Sequence, residues 1–144
     1  MHGTRAIQTF IEKLAQNVLA SPGDNQLHHD SLMRVITQLQ SDIVELTMDM
    51  HSNHVIQSFL MIFKASDLPS GQNNKGAESS AQYTQFIFDA CMFNCVEIGK
   101  HKHGCCVMQR CLEKGTLEQK LKLADYIIIH MAYLIEDPYG NYLV

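Results

Sequence analysis

Three pairs of polar side chains stand four residues apart, each closed by glutamine: Thr4 and Gln8, Asn53 and Gln57, Cys105 and Gln109. Side chains four apart are neighbours on one face of an α-helix, so each pair can bracket one flat hydrogen-bonding edge. The residue after each first member is Arg5, His54 or Cys106, and it projects about 100° further round the helix. Guanidinium and imidazole offer flat faces for stacking, whereas a thiol offers none. Asn141 and Tyr142 start a fourth such set, two residues before the chain stops at Val144. The chemistry open to these groups is recognition by hydrogen bonding and stacking. Catalysis is not indicated, because no third group is in place to orient a Cys–His pair.

Each set rides on a helix with an apolar stripe. Val55, Ile56, Phe59 and Leu60 recur at i, i+1, i+4 and i+5, as do Val107, Met108, Cys111 and Leu112, and Ala6, Ile7, Phe10 and Ile11. Asn53 and Gln57 lie off their stripe. A small or turn-forming residue, Gly3, Ser52, Gly104 or Gly140, precedes each set. Four copies in one register constitute an internal repeat. The anchors Thr4, Asn53, Cys105 and Asn141 are separated by 49, 52 and 36 residues. With 36 as the period, the first two intervals carry 13 and 16 extra residues. Loop-forming sequence fills both excesses, near 20–28 and 65–81, rich in Gly, Pro, Ser and Asn.

The elements between follow in order. The first polar-set helix runs from Thr4 to about Val18. Asp30 is placed to cap a helix over Leu32, Val35, Ile36 and Leu39. Ile43-Val44-Glu45-Leu46 forms a short segment before the second polar-set helix, roughly Asn53 to Lys64. Tyr83, Phe86, Ile87, Ala90 and Cys91 share helical spacing, and Val96 and Ile98 belong to a short linking helix. The third polar-set helix ends at Lys114-Gly115, a C-cap signal. Thr116 and Gln119 form a capping box for a helix whose core face is Leu117, Leu121, Ala124 and Ile128. Asp137-Pro138 introduces the fourth polar set. One unit is thus a short helix, a polar-set helix and a packing helix, and the fold is all-α.

Bulk composition narrows the classes. A chain of 144 residues with 46% hydrophobic content can bury an adequate core. No secretory leader precedes the first amphipathic helix, and the longest apolar run, Tyr126 to Ile135, is too short to span a bilayer. A soluble, cytoplasmic protein is expected, with its five cysteines reduced. Net charge is −4, so any nucleic-acid binding comes from a local surface rather than from overall charge. Lys100, Lys102, Arg110 and Lys114 supply a basic cluster, and Arg110 beside Gln109 is a candidate phosphate contact. Zinc is not expected, because Cys91, Cys95, Cys105, Cys106 and Cys111 contain no paired CxxC spacing. No cofactor is implied. Helical sequence begins almost at Met1 and stops inside the fourth set, as in a piece of a longer array.

The motifs His2-Gly3-Thr4-Arg5-Ala6-Ile7-Gln8, Asn53-His54-Val55-Ile56-Gln57, His103-Gly104-Cys105-Cys106-Val107-Met108-Gln109 and Asp137-Pro138-Tyr139-Gly140-Asn141-Tyr142 resemble the Pumilio (PUF) family. The run Tyr83-Thr84-Gln85-Phe86-Ile87-Phe88-Asp89-Ala90 before His103-Gly104-Cys105-Cys106 is especially similar to fungal members. The resemblance implies a right-handed α-solenoid of three-helix repeats, a partial homology domain with first and last repeats incomplete. It aligns the four with the third to sixth of eight repeats. It also implies non-enzymatic binding of single-stranded RNA, one base per repeat.

By that resemblance Asn53 with Gln57 reads uracil, and Thr4 with Gln8 and Cys105 with Gln109 read adenine. Asn141 is half of a uracil reader. Arg5, His54, Cys106 and Tyr142 stack between bases, Cys106 the weakest. Read antiparallel, the core is 5′-UAUA-3′, within mRNA 3′ untranslated regions, with decay or repression factors recruited on the convex face. The other class open to the chain is a protein-binding α-solenoid scaffold. Three glutamines at a fixed offset are not what a plain solvated face needs.

Overall fold

The computed structural model describes residues 2–20, 26–64 and 81–144. Every regular element among them is helical: α1 (His2–Ala20), α2 (Gln26–Gln40), α3 (Ile43–Met48), α4 (Asn53–Ile62), α5 (Gln85–Phe93), α6 (Cys95–Gly99), α7 (Lys102–Lys114), α8 (Leu117–Ile129) and α9 (Met131–Ile135), with a closing 3-10 turn at Gly140–Leu143.

The helices sort into three rows. α1, α4, α7 and the 3-10 turn stand side by side, each against the next. α2, α5 and α8 form a second row, again neighbour to neighbour. The short helices α3, α6 and α9 bridge them. This is the α-solenoid that the repeat required. Its core is the sum of the apolar stripes: Ile56, Phe59 and Leu60 of α4, Ile87 and Phe88 of α5, Ile98 of α6, Met108 of α7, Leu123 of α8 and Leu134 of α9 are all essentially inaccessible. Burying such a side chain contributes about 1.5–3 kcal/mol. Phe59 meets Phe86 edge-on, with ring centroids 5.7 Å apart, locking α4 to α5. His29 and Tyr83 share a 2.7 Å hydrogen bond that ties α2 to the approach to α5.

Local signals explain the ends. Thr116 Oγ1 accepts from the Gln119 backbone N–H, and Gln119 Oε1 accepts from the Thr116 N–H, completing the capping box. Gly115 follows α7 as its C-cap but is extended (φ −67°, ψ 169°), not left-handed. A Cβ there would come within 2.5 Å of the Phe88 ring, so close approach of α5 is what demands glycine. Gly104 is likewise pressed against the Ile98 carbonyl, at 2.2 Å from where a Cβ would sit.

Several expectations need correction. The core face of α8 is Gln119, Leu123 and Ile127, whereas Leu117, Leu121 and Ile128 are exposed. Gln119 also donates to Gln85 Oε1 and the Ala81 carbonyl, which draws it inward and carries residues four and eight further on with it. On α1 the buried residues are Ile11, Leu14, Ala15 and Val18, while Ile7 and Phe10 are about half exposed. Among the described residues α1 packs chiefly against α2 and α4. Asp30 does not cap α2, which begins at Gln26; it accepts from Gln26 Nε2 within the helix. The loop expected near 20–28 therefore gives way to helix from Gln26. Residues 21–25 and 65–80, where the rest of both loops falls, lie outside the described residues. Gly140–Leu143 is a 3-10 turn, not the start of an α-helix.

Candidate nucleic-acid interface

The polar sets lie on one row of helices, and the first two open onto a common groove. Thr4, Arg5, Gln8 and Glu12 of α1 form one wall, and His51, His54, Gln57, Ser58, Met61 and Ile62 from α4 and its approach form the other, with Arg110 of α7 at the side. The groove has a volume of about 760 Å³. Glu12 and Met61 were not singled out by sequence, yet each lies four residues beyond a glutamine, so helical periodicity extends the wall by one turn. His51 reaches the groove from the turn before α4.

Asn53 and Gln57 are joined. Asn53 is only 2% exposed, although it was expected off the core stripe. Its Nδ2 donates to the Asp49 carbonyl at 2.7 Å and the Met50 carbonyl at 2.9 Å, and its Oδ1 accepts from Gln57 Nε2 at 3.0 Å. The Asn53 side chain is therefore part of the helix start as well as of the polar set.

A turn ahead of the second, third and fourth sets holds each in place. The Asp49 carboxylate accepts from the Ser52 and His51 N–H groups at 2.7 and 3.0 Å. Those backbone bonds, Ser52 foremost, pull its pKa down to about 2. Asp137 repeats the arrangement, accepting from Gly140 and Tyr139 N–H groups, both at 2.9 Å, and its pKa is lowered for the same reason. In the third unit His101 takes this position, and its Nδ1 accepts from the His103 N–H. Asp or His four residues before Asn53, Cys105 and Asn141 is a signal present in the sequence, hidden because only the turn geometry gives it meaning.

The remaining residues sit as follows. Cys105 is buried, its Sγ pointing at the Lys102 carbonyl, and desolvation first of all raises its pKa to about 11, so it stays a neutral thiol. Cys106 is exposed. Gln109 Nε2 donates to the Tyr142 carbonyl, linking the third set to the fourth. Tyr142 and Asn141 are exposed, and Asn141 Nδ2 donates to the Asp137 carbonyl at 2.8 Å. Arg110 lines the groove but is paired with Glu113 at 2.7 Å. The groove thus gathers Thr4, Arg5, Gln8, His54, Gln57 and Arg110; Asn53, Cys105, Cys106, Gln109, Asn141 and Tyr142 do not line it. Burial pushes the His103 pKa down, with His101, Lys102 and His54 adding to the effect. Among the described residues no three His, Cys, Asp or Glu side chains are grouped to hold a metal ion, and no helix is long and apolar enough to cross a membrane.

The Pumilio-family RNA-binding repeat pattern matches residues 42–61 and 94–128. A Pumilio domain-containing protein of Schizosaccharomyces pombe is 33% identical over 144 residues, all of this chain and 17% of that protein. Pumilio homology domain family member 4 of Saccharomyces cerevisiae is 39% identical over 110 residues, 76% of this chain and 11% of that protein. The chain therefore spans less than a fifth of either relative. Among solved structures, the Puf4 RNA-binding domain bound to the HO endonuclease RNA 3′ UTR recognition sequence is 35% identical, with a TM-score of 0.72 over 99% of this chain and 35% of that one. The RNA-binding domain of yeast Puf5p bound to AAT2 RNA is 30% identical, with a TM-score of 0.70 over 99% of this chain and 34% of that one. With repeat pattern, relatives and backbone agreeing on the same helical units, the chain belongs to the Pumilio (PUF) family.

Proposed function

We propose that this chain binds single-stranded RNA by sequence, as part of post-transcriptional control exerted through mRNA 3′ untranslated regions. The observation that carries the reading is the shared groove. Edge-forming residues of two successive repeats, Thr4 with Gln8 and Gln57, open onto one space together with Arg5, His54 and Arg110, while Asn53 lies buried behind Gln57 and bonded to it. Flat cationic and aromatic faces stack bases, and hydrogen-bonding pairs select among them. Similarity to domains solved with RNA 3′ UTR recognition sequences supports the same reading.

Each repeat takes one base. Asn53 and Gln57 select uracil, and the small first members Thr4 and Cys105 leave room for adenine beside Gln8 and Gln109. Asn141 begins a further uracil site. The chain runs antiparallel to the RNA, which makes the core 5′-UAUA-3′. Arg5, His54 and Tyr142 stack, Cys106 fills without stacking, and Arg110 exchanges its Glu113 partner for phosphate. Decay or repression factors would dock elsewhere on the solenoid, in the cytoplasm.

The test is fluorescence-anisotropy binding of a UAUA-containing RNA against poly-C and against its three single-base variants at the third position. Preference for U at that position is the expected result. Equal binding of all five RNAs would overturn the assignment.

A further inference from the structure

We propose that Asp49 is a positioning residue that holds Asn53 as a fixed, acceptor-only reader; Asp137 closes an equivalent turn, whose carbonyl takes one donor of the exposed Asn141. This rests on the RNA reading above and names how one part of that site discriminates.

The argument starts from donor accounting. An asparagine amide offers two N–H donors and one oxygen acceptor. At Asn53 both donors are consumed, by the Asp49 and Met50 carbonyls at 2.7 and 2.9 Å. Reversing the amide would set its oxygen against two carbonyl oxygens in a site that is 2% exposed, so the orientation is enforced. Only Oδ1 is left uncommitted to the backbone, and in the free protein Nε2 of Gln57, which lines the groove, covers and satisfies it; a base reaches Oδ1 when Gln57 swings aside.

The carbonyls point inward because the 49–52 turn is closed by the Asp49 carboxylate on the His51 and Ser52 N–H groups. The same residue types recur at Asp137. Its carboxylate closes the 137–140 turn, and its carbonyl receives Asn141 Nδ2 at 2.8 Å. Where the anchor has no amide, at Cys105, the residue four before it is His101 instead. Aspartate thus accompanies the asparagine anchors.

An acceptor-only Asn53 has a consequence for base choice. Uracil presents N3–H, a donor, between two carbonyl acceptors. Asn53 Oδ1 can take the N3–H while Gln57 swings its N–H to a uracil oxygen. Cytosine presents N3 as an acceptor at the same place and would face Asn53 Oδ1 unpaired. U over C therefore depends on the amide being unable to turn.

The experiment uses the 144-residue chain and its Asp49→Ala and Asp49→Asn variants, with two readouts. NMR hydrogen exchange follows the Asn53 side-chain amide in the free protein. Anisotropy follows RNAs carrying U, C or N3-methyluridine at the third base of UAUA. Asn53 amide exchange should be slow in the parent and in Asp49→Asn, which keeps a capping oxygen, and fast in Asp49→Ala. U over C should be about tenfold in the first two and shrink to about twofold in Asp49→Ala, with N3-methyluridine discriminated only where the amide is held. If Asp49→Ala weakens every RNA alike, with the U/C ratio and the Asn53 exchange unchanged, Asp49 merely supports the helix and the proposal is wrong. If no variant binds any RNA, the RNA reading fails, and amide exchange alone decides whether Asp49 holds Asn53.

Discussion

Replacing Asn53 by aspartate is a near-isosteric change with a large expected effect. The side chain sits 2% exposed, with Nδ2 between two carbonyl oxygens. Asn53→Ala removes those two bonds and the acceptor for Gln57. At about 0.5–1.5 kcal/mol net per hydrogen bond, the two backbone bonds predict a loss of about 1–3 kcal/mol. Asn53→Asp keeps the shape but puts an oxygen where the donor was. Two carbonyls then face an unpaired, buried carboxylate, adding about 1–3 kcal/mol of unsatisfied desolvation beyond the alanine variant. Asn53→Ser should be mildest, since its hydroxyl can donate one bond.

Urea unfolding followed by far-UV circular dichroism orders the variants. The expected order of stability at pH 7 is parent, serine, alanine, aspartate. At pH 5 the gap between Asn53→Asp and Asn53→Ala should narrow, because a protonated carboxyl supplies one O–H donor. Asp49 does not confuse this window, since its pKa of about 2 keeps it ionised throughout. An aspartate variant as stable as the alanine variant at pH 7 would refute the claim that the amide donates to both carbonyls.

The other predictions concern close approach, acid and thiols. Gly104→Ala places a Cβ 2.2 Å from the Ile98 carbonyl oxygen and should cost about 1–3 kcal/mol, whereas Gly3→Ala meets nothing within 4 Å and should be neutral or gain about 0.5–1 kcal/mol; equal melting midpoints for the two would contradict the α6–α7 contact. Asp49 is depressed from 3.8 to about 2 on folding, so the stability it adds is full above pH 4 and disappears as pH falls towards 2. Asp49→Asn should flatten that part of an acid titration followed by circular dichroism, and an unaltered acid limb would count against the turn. Cys106 should react with a thiol reagent at neutral pH ahead of Cys91, Cys95, Cys105 and Cys111, which are buried, with Cys95 and Cys105 raised to about 11 chiefly by desolvation; mass spectrometry showing fast labelling at any of those four would contradict the packing.

The all-α repeat was legible in the sequence, because a helix announces itself by local periodicity. The i, i+4 stripes at Val55-Ile56-Phe59-Leu60 and Val107-Met108-Cys111 are buried as their spacing demands, and the Thr116–Gln119 box forms both of its bonds. The polar pairs were visible for the same reason, since residues four apart share a face in any α-helix. Rotation of a helix with more than one apolar stripe was not legible. On α8, Leu117-Leu121-Ile128 and Leu123-Ile127 are both plausible core faces, and what chose between them was Gln119 bonding to Gln85 and Ala81, partners more than thirty residues away. Asn53 was read as a surface side chain because periodicity counts only apolar contacts. Tertiary structure made it a buried amide, since the turn closed by Asp49 turns two backbone carbonyls inward and a buried carbonyl needs a donor. Sequence therefore determined which residues lie four apart on one helix. The folded turns decided which of their atoms remain free to face a ligand, because a hydrogen bond spent on the backbone is a property of geometry and not of residue type.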